Sequence, residues 1–122
     1  MEIEKVQRSE AEWLALLGTK RFKVLREGAT DPAFQGELTD EDRPGIYYCA
    51  GCELPLFHAT TKFHSGCGWP SFFSPIDASH ISLISDRSFG MVRVEVRCAQ
   101  CQGHLGHVFT GEGFATPTDE RW

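Results

Sequence analysis

Cys49-Ala50-Gly51-Cys52 and Cys98-Ala99-Gln100-Cys101 are the two stretches that decide how this chain folds. Each is a Cys-x-x-Cys pair, and 45 residues separate the two pairs. Thiolates at this spacing can occupy one edge of a tetrahedron, so the two pairs together predict a structural site for one zinc ion. Two disulfides, or a mononuclear iron site with the same ligands, are the alternative interpretations. Four sulfur ligands leave no open position, which favours a role in stability over zinc catalysis.

The composition around these pairs fits one domain. The chain has 122 residues, of which 41% are hydrophobic and 24% charged, and this length predicts a single domain over residues 1–122. The formal net charge of −5 lacks the basic balance that phosphate binding requires, so we expect no nucleic-acid partner. No stretch has the length and apolarity of a bilayer span, and the N-terminus has no leader pattern. We therefore expect a soluble, cytoplasmic monomer with no membrane partner, and that reducing compartment favours metal ligation over disulfides.

Helical patterns are confined to the N-terminal part of the chain. Ser9-Glu10-Ala11-Glu12 is a capping-box motif, in which Ser9 and Glu12 satisfy backbone amides at the start of a helix. Gly18 is expected to end this helix. A second short helix is expected from Lys20 to Glu27, although its apolar positions Phe22, Val24 and Leu25 would also suit a strand. The first helix should bury an apolar stripe made of Trp13, Leu14, Leu16 and Leu17.

The middle and the end of the chain read as strands. Short apolar runs lie before and after the first cysteine pair, at residues 46–48 and 55–57, and another lies at residues 107–109. Residues 91–97 alternate apolar with charged, which predicts a half-buried strand with Val92, Val94 and Val96 inward. Strands punctuated by Gly and Pro predict a mainly β fold, with two packed antiparallel sheets and short N-terminal helices.

Chemistry, if the chain performs any, has to come from residues outside the metal ligands. Cys67 is the fifth cysteine and lies between two glycines, which predicts an accessible, reactive thiol, although an inert cysteine fits the same pattern. Trp69 either packs in the core or walls an apolar pocket with its indole N–H as a polar group. His104 and His107 follow the second cysteine pair closely, and they offer a proton donor near neutral pH beside a metal scaffold.

Taken together, these motifs resemble the type B methionine-R-sulfoxide reductases. The resemblance runs in order from about Phe22 to the last residue. Besides the two cysteine pairs, it rests on Arg26-Glu27-Gly28-Ala29-Thr30, Ser65-Gly66-Cys67-Gly68-Trp69-Pro70-Ser71-Phe72, Gly90-Met91-Val92-Arg93-Val94-Glu95-Val96-Arg97-Cys98 and His104-Leu105-Gly106-His107-Val108-Phe109.

The resemblance implies a fold and a reaction. The implied fold has two antiparallel sheets, with the zinc opposite the active site. In the implied reaction, a thiolate or selenolate attacks the sulfur of methionine-R-sulfoxide in an oxidised protein, and leaves methionine and a sulfenic or selenenic acid. A second cysteine, which Cys67 matches, then forms a disulfide that thioredoxin reduces.

The resemblance also assigns roles to the other site residues. Trp69 and Phe109 match residues that hold the methyl group of the substrate. His104 and His107 match histidines that orient or protonate the sulfoxide oxygen. Arg121 matches an arginine two residues before the nucleophile, where its charge favours a thiolate.

The sequence departs from the family pattern at two places. The pattern continues with a nucleophilic Cys or selenocysteine after the aromatic residue that Trp122 matches, so we expect the 122 residues alone to be inactive. A selenocysteine codon read as a stop, a trimmed chain and a natural inactive remnant are competing hypotheses. A catalytically dead, zinc-stabilised module that binds methionine sulfoxide or Met-containing segments is the alternative function. The second departure is at Thr110-Gly111-Glu112-Gly113, which replaces the usual Pro-Asp turn and is expected to remove a carboxylate from the pocket rim.

Overall fold

A computed structural model of the chain describes residues 5–30, 32–87 and 90–122. The described part holds one α-helix, α1 (Glu10–Glu27), two single-turn 3-10 helices (Ala59–Thr61 and Ala78–His80) and short antiparallel strands. The strands are β1 (Ile46–Tyr48), β2 (Pro55–His58), β3 (Lys62–Phe63), β4 (Ser71–Phe72), β5 (Ile81–Asp86), β6 (Arg93–Cys98), β7 (His104–Thr110) and β8 (Glu120–Arg121). The predicted mainly β, antiparallel fold is confirmed. No helix in the described ranges is long and apolar enough to cross a membrane.

The strands form three antiparallel sheets where the sequence predicted two. β1 pairs with β2, β3 pairs with β4, and the third sheet has the order β5-β6-β7-β8. Two backbone hydrogen bonds join the last two sheets: Trp122 N–H donates to Phe72 O at 2.9 Å, and Phe72 N–H donates to Trp122 O at 3.3 Å. The end of β8 is therefore fixed beside β4, which directly follows the loop that carries Cys67.

The predicted N-terminal helices are two segments of α1. Gly18 has non-helical angles (φ 78°, ψ 168°) and interrupts the helix where the sequence indicated. Gly28 ends it in the left-handed conformation, with its N–H donated to the carbonyls of Lys23 and Val24. Both positions need a positive φ, which glycine adopts at little cost.

The expected capping box is present at the start of α1. The Glu12 N–H donates to the Ser9 hydroxyl at 3.2 Å, and the Ser9 N–H donates to the Glu12 carboxylate at 3.0 Å. We predict that Ser9→Ala lowers the free energy of unfolding by about 1 kcal/mol, because an amide of the first turn loses its acceptor. Glu12→Gln, which keeps an acceptor at this position, is the control and should cost less. Urea unfolding followed by circular dichroism measures both, and equal stabilities for Ser9→Ala and the parent chain would contradict the prediction.

Two predicted burial patterns are wrong in part. On α1, Trp13 is buried and Leu17 is partly buried, but Leu14 and Leu16 are exposed. Trp13 and Leu17 are four residues apart and share one helix face, and only that face meets the core. On β6, Val96 is 3% exposed as predicted, whereas Val94 is 38% and Val92 78% exposed. The strand begins only at Arg93, and burial is confined to its Cys98 end.

One hydrophobic core connects the cysteine pairs to the strands near Cys67. Phe57 and Phe72 stack with ring centroids 4.4 Å apart, and the Tyr47 ring meets the edge of Phe72 at 5.0 Å. The same cluster contains the buried cysteines, and Trp122 packs against it. Its buried members are Trp13, Cys49, Leu56, Phe57, Phe72, Cys98 and Cys101. Loss of order at the cysteines is therefore expected to reach β4 and β8.

Candidate active site and metal centre

The four cysteines of the two pairs come together in the structure as predicted. Their sulfur atoms all lie within 4.8 Å of one another. Cys49 Sγ lies 3.6 Å from Cys101 Sγ, and Cys52 Sγ lies 3.4 Å from Cys98 Sγ. Since a tetrahedral zinc with Zn–S bonds of about 2.3 Å separates its sulfurs by about 3.8 Å, the cluster has the dimensions of a four-thiolate zinc site.

The two Cys-x-x-Cys turns have the same backbone geometry. In the first, the Glu53 N–H donates to Cys49 O at 2.8 Å; in the second, the Gln102 N–H donates to Cys98 O at 2.9 Å. Glu53 and Gln102 are both left-handed, with φ of 65° and 62°. Each turn thus directs two sulfurs to the same side, and two equivalent turns facing each other close the tetrahedron.

The surroundings of the cluster suit a bound cation with four thiolates. Three of the cysteines are buried, and burial together with the neighbouring sulfurs raises the pKa of Cys52 to about 12. Metal binding has to displace such protons, which couples affinity to pH. Arg26 Nη1 donates to Cys101 O at 2.7 Å, so a positive charge lies beside the excess negative charge of a Zn(Cys)4 centre. The donor set fits a structural zinc, and it leaves no ligand position open for chemistry.

Cys67 lies in a network of hydroxyl groups that its sequence motif does not predict. The Ser65 hydroxyl donates to Cys67 Sγ at 2.9 Å, and Ser71 Oγ lies 3.5 Å from the same sulfur. Ser65 Oγ also accepts the Cys67 N–H, and it lies 2.8 Å from Ser71 Oγ. Burial opposes the thiolate, but these hydrogen bonds and the charge of Arg121 outweigh it and lower the pKa of Cys67. The predicted reactive character of Cys67 has a structural basis in these contacts.

We predict that Ser65→Ala shifts the alkylation profile of Cys67 to higher pH. The thiolate loses a hydroxyl donor, so its pKa rises and less thiolate is present at a given pH. The rate of iodoacetamide labelling at Cys67, followed by peptide mass spectrometry across pH, measures the midpoint. Ser85→Ala, an exposed serine on β5, is the matched control and should leave the midpoint in place. A midpoint that Ser65→Ala lowers or leaves unchanged would refute this role.

Arg121 connects the thiol to the rest of the site. Its guanidinium lies over the Phe109 ring, 4.3 Å from the centroid, and its charge acts on Cys67. Nε and Nη2 of Arg121 bind the two oxygens of Glu112 at 2.8 and 3.1 Å. The expectation that the 110–113 turn removes a carboxylate from the rim is therefore wrong, since Glu112 supplies one three residues after Phe109. The bidentate pair fixes the orientation of Arg121.

The two histidines share one face of β7 because the strand carries a bulge. His107 pairs with Glu95 and His104 with Arg97, so three residues of β7 span two of β6. Residues three apart in a regular strand point to opposite faces, and the extra residue cancels this alternation. The two imidazole centroids lie 5.7 Å apart as a result.

Each histidine is held by a carboxylate. His104 Nδ1 donates to Glu95 at 2.7 Å, and His107 Nε2 donates to Asp86 at 2.8 Å. Burial opposes the charge of Glu95, but hydrogen bonds from Arg97 and His104 outweigh it and lower the pKa of that carboxyl. A carboxylate at one ring nitrogen fixes the tautomer and leaves the other nitrogen for a proton or a ligand. Sequence inspection missed Asp86 and Glu95 because their partners are set by strand register.

The structure brings the predicted site residues into one region. Phe109 lies between Arg121 and His107, whose ring centroid is 6.4 Å from that of Phe109. Trp69 is 39% exposed on the Cys67 loop, and its carbonyl accepts the Ser71 hydroxyl at 3.2 Å. The region thus combines an acidic thiol, a fixed cation, two oriented imidazoles and two aromatic rings. Such a set can bind a small apolar group beside a polar oxygen and transfer a proton to that oxygen.

Comparison with known proteins identifies one matching family and several relatives of high identity. Residues 17–122 match the SelR domain family. The chain is 53% identical to the peptide methionine sulfoxide reductase MsrB of Methylibium petroleiphilum over 118 residues, which cover 97% of this chain and 84% of the relative. It is 49% identical to peptide methionine sulfoxide reductase B3 of Arabidopsis thaliana, over 95% of this chain and 64% of the relative. An MsrB of Leifsonia xyli is 46% identical, over 97% of this chain and 84% of the relative.

Proposed function

Since this chain belongs to the SelR family of type B methionine-R-sulfoxide reductases, we propose that it serves to reduce methionine-R-sulfoxide in oxidised proteins to methionine. The observation that carries the proposal is the joining of Cys67, Arg121 and the carboxylate-held His104 and His107 around Phe109. Thiol reduction of a sulfoxide requires a proton donor for the oxygen, an apolar seat for the methyl group and a second thiolate that resolves the sulfenic acid. These contacts supply all three.

The substrate groups are assigned to the side chains as follows. Trp69 and Phe109 hold the methyl group, because both present an aromatic surface next to polar atoms. His104 and His107 orient the sulfoxide oxygen and protonate it, each through the ring nitrogen that its carboxylate leaves available. Arg121 stabilises thiolate forms in the site through its fixed charge.

The nucleophile is assigned to the residue that follows Trp122 in the family pattern, as a cysteine or selenocysteine. The backbone hydrogen bonds between Trp122 and Phe72 support this assignment, because they direct the chain past β4 toward Ser71 and Cys67. Its thiolate attacks the sulfoxide sulfur while a histidine protonates the oxygen. The hydroxyl group then passes to the attacking sulfur, so that the S–O bond of the substrate and the transient S–S bond both break and methionine and a sulfenic acid are left. The Cys67 thiolate then attacks the sulfenic sulfur, a disulfide forms and water leaves.

A dithiol protein such as thioredoxin is the proposed reductant. It reduces the disulfide by thiol–disulfide exchange, becomes oxidised itself and returns both groups of the site to the thiol state. The part-exposed position of Cys67 leaves its sulfur open to such an exchange. We further propose that the 122 residues form a single domain that acts as a cytoplasmic monomer, with the substrate protein and the reductant as its partners.

The four-cysteine cluster is proposed to bind one zinc ion through Cys49, Cys52, Cys98 and Cys101. When bound, the ion supplies stability and no chemistry, because four thiolates complete its coordination. It fixes the start of β7, since Cys101 lies three residues before His104. Every step of the proposed reaction is assigned to groups outside the four metal ligands.

The test is stereoselective reduction of N-acetyl-methionine sulfoxide with dithiothreitol as the reductant. The protein is extended after Trp122 by a cysteine and a short terminal strand of the kind that the family pattern implies, and the control carries serine in place of that cysteine. The proposal is supported if the cysteine-extended protein consumes the R epimer and not the S epimer, and the serine control consumes neither. Reduction of both epimers at equal rates, or of neither by a folded and zinc-loaded protein, overturns it. Binding without turnover would instead support the binding-module function.

A further inference from the structure

Phe34 adopts a conformation that folding alone does not favour. Its φ is 66°, in the left-handed region that bulky side chains rarely adopt. Its side chain is 71% exposed, so the ring gains little from burial. When a position breaks both local and burial preferences, a functional role is the expected reason.

The loop that carries Phe34 is held against the Cys67 loop. The Phe34 N–H donates to Gly68 O at 2.7 Å. A Cβ added to Gly68 would lie 3.0 Å from two ring carbons of Phe34 and 2.8 Å from the Ala33 Cβ, so only glycine allows this approach. Gly68 stands between Cys67 and Trp69 in the chain. The Phe34 ring thus lies directly beside the residues assigned to the resolving thiol and the methyl pocket.

The backbone on both sides of Phe34 is held by hydrogen bonds before any substrate arrives. Lys62 Nζ donates to Leu38 O at 2.6 Å and ties the same loop to β3. The Gln35 N–H donates to Pro32 O at 3.2 Å and closes a turn around Phe34. A loop whose backbone is already ordered loses little conformational entropy when its side chain binds a partner.

We infer that Phe34 and Trp69 form an aromatic ledge that binds an apolar side chain next to methionine-R-sulfoxide in a polypeptide substrate. The inference rests on the proposed function and extends it to the residues that flank the sulfoxide. Continuity with the methyl pocket supports this occupant. The Phe34 ring packs against Gly68, the residue directly before Trp69, and neighbouring residues of a substrate chain are separated by the same Cα–Cα step of about 3.8 Å.

The test measures binding of three probes to the 122-residue chain by calorimetry: a pentapeptide with Leu on both sides of methionine-R-sulfoxide, its Gly-flanked counterpart and N-acetyl-methionine-R-sulfoxide amide. We expect Phe34→Asn to weaken the Leu-flanked peptide about tenfold, the loss that corresponds to part of a buried ring contact. Binding of the other two probes should stay unchanged. Asn tolerates a positive φ, so the loop keeps its conformation. Tyr48→Asn, another exposed aromatic, is the matched control and should change none of the three.

Equal binding of the Leu-flanked and Gly-flanked peptides by the parent chain would overturn the inference, as would an equal loss for all three probes in Phe34→Asn. Both results leave the proposed function standing if N-acetyl-methionine-R-sulfoxide amide still binds the parent chain. Failure of every R-sulfoxide probe to bind the folded parent chain would contradict both the ledge and the function. A change from dimer to monomer on Phe34→Asn in sedimentation would show that a second copy of the chain occupies the ledge, and would overturn the peptide assignment.

Discussion

Replacing Cys98 with serine is expected to leave a chain that does not fold at room temperature. Cys98 is fully buried, with 0% exposure, and its sulfur lies 3.4 Å from that of Cys52 at the centre of the cluster. A structural zinc contributes about 10–16 kcal/mol to folding, which is comparable to the whole stability of about 5–15 kcal/mol of a typical domain. A serine hydroxyl cannot replace the thiolate as a ligand for this ion. The loss should therefore exceed what the small hydrophobic core can offset.

Circular dichroism, gel filtration and zinc content measured on the purified protein check this result. Cys67→Ser is the matched control, because its sulfur lies outside the cluster, and it should retain zinc and the thermal transition of the parent chain. A strong chelator added to the parent chain should reproduce the Cys98→Ser result without any change of sequence. If Cys98→Ser melts within a few degrees of the parent chain, the cluster does not hold the fold together and the structural-zinc account is wrong.

The second large effect is expected at the histidine pair. In the cysteine-extended protein, His104→Gln and His107→Gln should each lower kcat/KM for N-acetyl-methionine-R-sulfoxide by about 10²–10⁴-fold, the usual contribution of a positioned proton donor. Each imidazole is fixed by a carboxylate at one nitrogen, so a substitution removes an oriented group and not a mobile one. The decrease in kcat/KM should come from a slower reaction step and not from weaker substrate binding, because the aromatic side chains that hold the methyl group are unchanged.

Single-turnover rates measured across pH separate this role from a structural one. Loss of a proton donor changes the acidic and basic limbs of the pH–rate profile. A structural defect in the protein lowers the rate equally at all pH values. His64→Gln, at an exposed histidine outside the site, is the control and should keep the parent rate. Parent-like rates and an unchanged profile in both His104→Gln and His107→Gln would exclude them as proton donors.

The features that sequence could predict are those coded by neighbouring residues. The two cysteine turns, the capping box at Ser9 and the interruption at Gly18 all depend on residues within a few positions of one another. The alternation of apolar and charged residues at 91–97 predicts a strand, but it does not tell which end of that strand is buried. Val92 was therefore misassigned as buried.

The features that sequence could not predict depend on pairing between distant segments. Asp86 reaches His107 across 21 positions, and it does so only through the register of the β5-β6-β7 sheet. The bulge that turns both histidines to one face has no signal stronger than one glycine in the strand, Gly106. The positive φ of Phe34 has no sequence signal at all, because phenylalanine is not a residue that favours it.

One turnover without reductant tests the central claim most directly. The cysteine-extended protein, loaded with zinc and mixed with excess N-acetyl-methionine-R-sulfoxide, should form one equivalent of N-acetyl-methionine and lose two hydrogens as Cys67 joins the cysteine after Trp122 in a disulfide. Intact mass and peptide mapping measure both products. The same protein with Cys67→Ser should form the same equivalent and retain the sulfenic acid. If methionine forms while Cys67 remains a free thiol, or if no methionine forms, the assignment of this site as a thiol reductase resolved by Cys67 is wrong.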